Sequence, residues 1–221
     1  MNTTMIENGA VVVDRFATLG DSITAGTPLD SGRLWPQLVT DWLTTHNPDV
    51  CHLNLAVGGA MSSDVLKDQV PLALESRPDL VTVICGANDV LQRPRPDIEG
   101  AGANLSECFR CLSAEIPLGR IVTATYPDFV PFLPWRPRSK ARVTEGLVRL
   151  NEAIRSAASE SDVLCVDLAM TSQDFSNEVY APDGAHPSEV GHQWIAIAIT
   201  MTLATVLRLP HARPYWAAYE R

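Results

Sequence analysis

The run Leu80-Val81-Thr82-Val83-Ile84-Cys85 is apolar but for its threonine and stops at Gly86-Ala87-Asn88-Asp89. A run this short, with a glycine turn after it, predicts a strand covered on both faces, as at the centre of a parallel sheet between helical layers. Parallel neighbours cannot be joined by a hairpin, so the chain must supply long crossover connections, usually helices.

It does so at regular intervals. Phe16, Ala17 and Leu19 form a strand closing in Gly20-Asp21-Ser22-Ile23-Thr24, and Val50 to Leu55 forms a second, running into Ala56-Val57-Gly58-Gly59-Ala60. Ile121 to Thr125 and Val163 to Leu168 read as a fourth and a fifth. Between them, Leu34, Trp35, Leu38, Val39, Trp42 and Leu43 recur at helical period with Pro36 in the first turn, after a loop-like Pro28 to Gly32. Ser62 and Ser63 can cap a helix through Val65, Leu66, Val70 and Leu74, which Pro71 should kink or shorten. Further helices are expected from Asp97 to Ile116, from Val143 to Ala157, and from Val190 to Leu207 behind a Ser188 cap. This βαβ alternation implies a parallel sheet between two helical layers.

No break in composition divides the 221 residues, so one domain over 1–221 is expected. With 46% hydrophobic and 19% charged residues, the chain can bury a substantial core. Its net charge of −9, without a basic run, argues against a nucleic-acid partner or an anionic lipid surface. Met1 to Ala10 lacks the basic start of a secretory signal, and Trp194 to Leu207 falls short of the ~20 apolar residues that span a bilayer. A cytoplasmic protein without a membrane span is therefore expected. The five cysteines fit a reducing compartment. Cys108 and Cys111 spell C-x-x-C, but Cys108 falls on the apolar stripe of a helix interior, where core packing is expected rather than redox or zinc chemistry.

Tyr126 to Pro137 carries Pro127, Pro131, Pro134 and Pro137 among Phe129, Val130, Phe132, Leu133 and Trp135, and no regular element is expected to survive there. An apolar segment of this kind forms either a lid or wall over a pocket, with Phe129, Phe132 and Trp135 as substrate-binding candidates, or a loop packed on its own core or on a partner subunit.

Polar groups gather at the strand ends: Ser22, Gly58 and Gly59, Asn88, and Asp183 three residues before His186. In open α/β sheets ligands bind at the carboxyl ends of the strands. Ser22 alone reads equally well as a turn cap. In Pro182-Asp183-Gly184-Ala185-His186-Pro187, however, the carboxylate can fix the imidazole tautomer so that Nε2 accepts a proton, and a serine hydroxyl needs such a base to become a nucleophile. The N–H of Ser22, the N–H of Gly59 and the Asn88 amide can serve as oxyanion donors, each worth about 3 kcal/mol in a transition state. Asp21 and Asp89 are expected to orient their turns, and His46, His52, His192 and His211 to be surface or satisfied core residues, since none has an aspartate at matching spacing. No further ligands accompany Asp183 and His186, so no metal is expected there.

These four blocks, Gly20-Asp21-Ser22-Ile23-Thr24, Gly58-Gly59-Ala60, Gly86-Ala87-Asn88-Asp89 and Asp183-Gly184-Ala185-His186-Pro187, in this order, resemble the SGNH hydrolase family, also called GDSL esterases and lipases. The resemblance implies a three-layer α/β/α, flavodoxin-like fold with strand order 2-1-3-4-5. It also implies Ser22 as nucleophile, His186 as base oriented by Asp183, and an oxyanion hole from Ser22, Gly59 and Asn88. Gly58 competes with Gly59 for its block. The expected activity is hydrolysis of a small-molecule carboxylic ester or thioester through an acyl-enzyme, without a cofactor; the apolar segment from Phe129 to Trp135 points to a substrate carrying an acyl chain or another hydrophobic group. An acyltransferase, with an alcohol or amine replacing water, would use the same residues. A non-catalytic flavodoxin-like binding protein is the rival of a different class; the chain lacks the G-x-G-x-x-G and P-loop lysine of nucleotide sites. Oligomeric state is not legible.

Overall fold

The computed structural model describes residues 10–26, 32–170 and 177–210. The start of the chain, most of the loop read at Pro28 to Gly32, much of the loop after the fifth strand, and the aromatic tail with His211 lie outside the described residues. Strands β1 (Arg15–Gly20), β2 (Cys51–Asn54), β3 (Leu80–Ile84), β4 (Ile121–Ala124) and β5 (Leu164–Val166) form one parallel sheet in the order β2-β1-β3-β4-β5. Every residue of β3 is buried, as its unbroken apolar run requires, whereas β2 is the outer strand and largely exposed.

Helix α1 (Ser22–Ala25) leaves the end of β1, and α2 (Trp35–Thr44) follows with Pro36 in its first turn. The segment after β2 is helical from α3 (Ser62–Asp64) through a π turn (Val65–Gln69) into α4 (Val70–Ser76). Next come α5 (Ala87–Leu91), α6 (Ile98–Ser113), α7 (Pro137–Glu160) and α8 (Glu189–Leu207). α2 packs on α8, and α6 on α7 with α4 beside it, which gives the two helical layers. Trp35, Leu38 and Val39 meet Ile195, Ile199 and Leu203 in one buried layer; Leu105, Phe109 and Leu112 meet Leu147, Leu150 and Ile154 in the other. Cys108 is fully buried on its stripe, as expected, and all five cysteines are free.

Three expectations need correction. Ser62 is not a cap: it is the first helical residue, the Asp64 carboxylate accepts the Met61 N–H at 2.9 Å, and the Ser62 side chain bonds Asp89 instead. Pro71 does not shorten its helix. It lacks the N–H that would bond the carbonyl four residues back, and the chain accommodates that loss with the π turn just before it. The last helix starts at Glu189, so its 19 residues are long and apolar enough for a membrane span; half of the apolar window is buried inside the protein, where α8 packs on α2.

The π turn also brings Gln69, 3% exposed, against the end of β1, where Gly20 N–H donates to Gln69 Oε1 at 2.8 Å and Gln69 Nε2 donates to Gly20 O at 2.9 Å. Gln69→Ala removes both bonds and strands a buried N–H, a loss expected to cost about 2–4 kcal/mol, read as a lower urea midpoint at unchanged m.

Candidate active site

Ser22, Asn88 and the Gly58-Gly59 turn lie where β1, β3 and β2 release the chain, each at a carboxyl end of the sheet. Asp21 turns β1 into α1: its Oδ1 accepts the Ile23 N–H at 3.1 Å, which places Ser22 as the first residue of that helix. Val57 to Ala60 closes as a turn, with Ala60 N–H donating to Val57 O at 3.1 Å, and the positive φ falls on Gly59, at +82°. Of the two adjacent glycines, Gly59 is the one whose backbone requires the missing side chain.

The Asp183/His186 block is a small hairpin. Tyr180 pairs with Pro187, Ala181 N–H donates to His186 O at 2.8 Å, and Asp183 Oδ1 accepts the N–H groups of Ala185 and His186 at 2.9 and 3.0 Å. Gly184 has φ +73°, and a Cβ there would stand 2.3 Å from the Phe132 carbonyl oxygen, so the hairpin rests directly on the proline-rich segment. From this base His186 Nδ1 donates to Asp183 Oδ2 at 2.6 Å, and the Ser22 hydroxyl donates to His186 Nε2 at 2.9 Å. Burial raises the Asp183 carboxyl, but the two N–H groups and the imidazole outweigh it and hold it below the usual carboxylate range. It stays an anion beside the ring.

On the other side, Asn88 Nδ2 donates to Ala60 O at 3.0 Å, which leaves the amide's second N–H for another acceptor, and Gln92 Nε2 donates to Gly59 O at 3.0 Å. Asp89 does not bond its own turn as expected but ties it to the start of α3: its two oxygens accept the Ser62 N–H at 2.9 Å and the Ser62 hydroxyl at 2.8 Å, and Asn104 donates to that hydroxyl at 3.1 Å. His52 is bonded to Thr18 Oγ1 at 3.1 Å and stacked on Phe16. His192 is a satisfied core residue, accepting the Trp35 N–H through Nδ1 at 3.3 Å, and burial pushes it down to about 4, so it remains neutral.

A partly open apolar pocket of about 40 Å³ adjoins this centre, with Ile23, Tyr126, Phe129, Leu168, Tyr180 and Trp194 in its wall. Ala185 and Pro187, which flank His186, line it too. Of the three aromatic candidates, Phe129 is in this wall. Phe132 and Trp135 do not line it: the Phe132 ring packs on Tyr180 with centroids 4.7 Å apart, and Trp135 is 38% exposed. The proline-rich segment is a wall, with Tyr126, Phe129, Val130 and Leu133 buried and one 3₁₀ turn at Val130–Phe132; α7 begins at Pro137, where a helix tolerates proline. Gln69, Tyr180 and Trp194 were missed as supports of the site. A glutamine inside an amphipathic run carries no sequence signal for the strand end it reaches.

A family model, the GDSL-like Lipase/Acylhydrolase family, matches residues 18–194. The chain belongs to that family. Among solved structures, this GDSL-like fold is similar to a lipase/acylhydrolase from Enterococcus faecalis, at 23% identity, TM-score 0.69 and coverage of 90% of this chain and 99% of that one. It is similar also to an acetylxylan esterase from Geobacillus stearothermophilus, at 17% identity, TM-score 0.71 and coverage of 92% and 100%. An arylesterase from Vibrio mimicus is 33% identical over 85 residues, a stretch covering 38% of this chain and 42% of that protein. The match thus spans less than half the length of that relative.

Proposed function

We propose that this chain is a serine esterase that cleaves small carboxylic esters or thioesters through an acyl-enzyme on Ser22. The observation that carries the reading is the unbroken hydrogen-bond chain from Asp183 through His186 to the Ser22 hydroxyl. As Ser22 Oγ bonds to the substrate's carbonyl carbon, its proton passes to His186 Nε2, and the ring's new positive charge is balanced by the Asp183 carboxylate. The negative charge arising on the carbonyl oxygen is met by the N–H groups of Ser22 and Gly59 and by the free N–H of Asn88. When the intermediate collapses, the leaving group departs with the proton from His186. Water then enters, His186 takes its proton, and the acid is released with Ser22 restored. The geometry needs no cofactor for these steps.

The cavity beside Ile23 supports a short hydrophobic acyl group as the preferred substrate part. Each methylene it buries is worth about 0.8 kcal/mol, until the chain outgrows the space. On 4-nitrophenyl esters, kcat/KM is expected to peak at acetyl to butyryl and fall for octanoyl and palmitoyl, and Phe129→Ala should move the peak to longer chains. A fluorophosphonate probe should label Ser22 in the same sample. No labelling at Ser22 would remove the nucleophile assignment; labelling with a chain-length preference unmoved by Phe129→Ala would remove the acyl site alone.

A further inference from the structure

Beneath the nucleophile lies a carboxyl that this reaction scheme leaves unused. Asp21 is 1% exposed, and only its Oδ1 is engaged, by the Ile23 N–H that starts the Ser22 helix. Its carboxyl faces the hydroxyl of Tyr126, a residue 3% exposed just past the end of β4, and that hydroxyl also faces the N–H of Ala87, which precedes Asn88. Asp21 Oδ2 and the Tyr126 hydroxyl are both sealed from solvent, and neither completes a hydrogen bond in good geometry among the described residues. The other titratable groups around Asp21 are His186 from the hairpin, Asp89 from α5 and Cys85 from the end of β3. Asp21 and Tyr126 therefore occupy the space under both the nucleophile turn and the asparagine turn.

We propose that Asp21 is a positioning residue that must be ionised for full turnover, and that with the Tyr126 hydroxyl it links the Ser22 turn to the Asn88 turn. The inference rests on Ser22 being the nucleophile. Burial pushes the Asp21 carboxyl up to about 7; the Ile23 N–H and the His186 charge pull it down, Asp89 raises it, and the Tyr126 hydroxyl lowers it. Ionised, Asp21 holds the Ile23 N–H through a charge-assisted bond and favours the imidazolium that His186 becomes as Ser22 attacks. On taking up a proton from solvent it loses both effects, while no covalent bond in the site changes.

The same titration acts on stability with a definite sign. The folded protein keeps a proton that the unfolded chain, with Asp21 at its ordinary 3.8, releases, so stability falls as pH rises from about 4 to about 7 and levels off above. Asp21→Asn has no such titration, and its melting temperature relative to wild type should climb across that window.

The test follows hydrolysis of 4-nitrophenyl acetate between about pH 5 and about pH 9. For wild type, log kcat/KM is expected to show an extra fall of about one log unit on the acid side as Asp21 takes up its proton. Asp21→Asn should lack that extra fall and, above about pH 8, show a kcat about tenfold lower with KM little changed. Tyr126→Phe keeps the extra fall but moves it to higher pH, because the donor that lowers Asp21 is gone; this variant decides the matter even if Asp21→Asn folds poorly. The extra fall persisting in Asp21→Asn, an unmoved fall in Tyr126→Phe, or a melting difference that is flat in pH would overturn the proposal. Ser22→Ala run alongside separates the two levels: turnover surviving in it defeats the nucleophile assignment, whereas its loss together with an unchanged Asp21→Asn profile defeats only this inference.

Discussion

His186→Ala is expected to lower kcat on an activated ester by about 10⁴-fold or more without unfolding the protein. The imidazole is the group that receives the Ser22 proton, at 2.9 Å, and its ring is part-buried at the rim of the site rather than in the core. Ser22→Ala should be equally severe, and the double variant should be no worse than either single one, because base and nucleophile act in one step. Asp183→Asn should be milder: the amide oxygen can still accept from Nδ1, but the charge that balances the imidazolium is gone. Asn88→Ala should cost about 10²-fold in kcat through the lost oxyanion donor. Steady-state kinetics with circular dichroism as the folding control reads all five. Wild-type turnover in His186→Ala would end the assignment of the base.

The second large effect concerns stability. Gly20 has φ +149° in the last position of β1, paired with Ile84, and a Cβ added there would stand 2.2 Å from the Ile84 carbonyl oxygen and 2.8 Å from Thr24 Oγ1. Neither neighbour can retreat cheaply, since the first is backbone of the fully buried β3 and the second belongs to a residue with no exposed surface. Gly20→Ala is expected to cost on the order of 4 kcal/mol or more, enough to unfold a marginal domain. Urea unfolding of soluble material, or recovery only in inclusion bodies, would report it. A melting temperature within a degree or two of wild type would show that the strand end relaxes far more easily than its packing indicates.

Much of this arrangement was legible in the sequence because two physical rules act at short range. Apolar runs of strand length between helical periods gave the sheet and both layers, and glycines next to polar residues marked where each strand lets go. The pairing of Asp183 with His186 was readable because the two groups meet within one hairpin. What sequence could not resolve depends on contacts made at a distance. In the proline-rich segment there is no period to say which side chain faces inward, so Phe129 and Phe132, three positions apart, have different surroundings: one lines a cavity and the other braces the hairpin. Gln69 reaches Gly20 only because a π turn re-aims it. Likewise Asp21 and Tyr126 are 105 residues apart in the chain and meet only once the strand order is set.

The hairpin that carries His186 is held by its own turn bonds and by a perch on the Phe132 carbonyl, whereas Ser22 is fixed to the interior of the sheet through Gly20 and Gln69. Two halves of one proton-transfer unit are therefore mounted on separate supports, one at the end of a sheet strand and one on a hairpin outside the sheet. The distance between base and nucleophile is thus set by the seat of the hairpin on the proline-rich wall, so a substitution that lifts that seat would lengthen the Ser22–His186 bond without touching either residue.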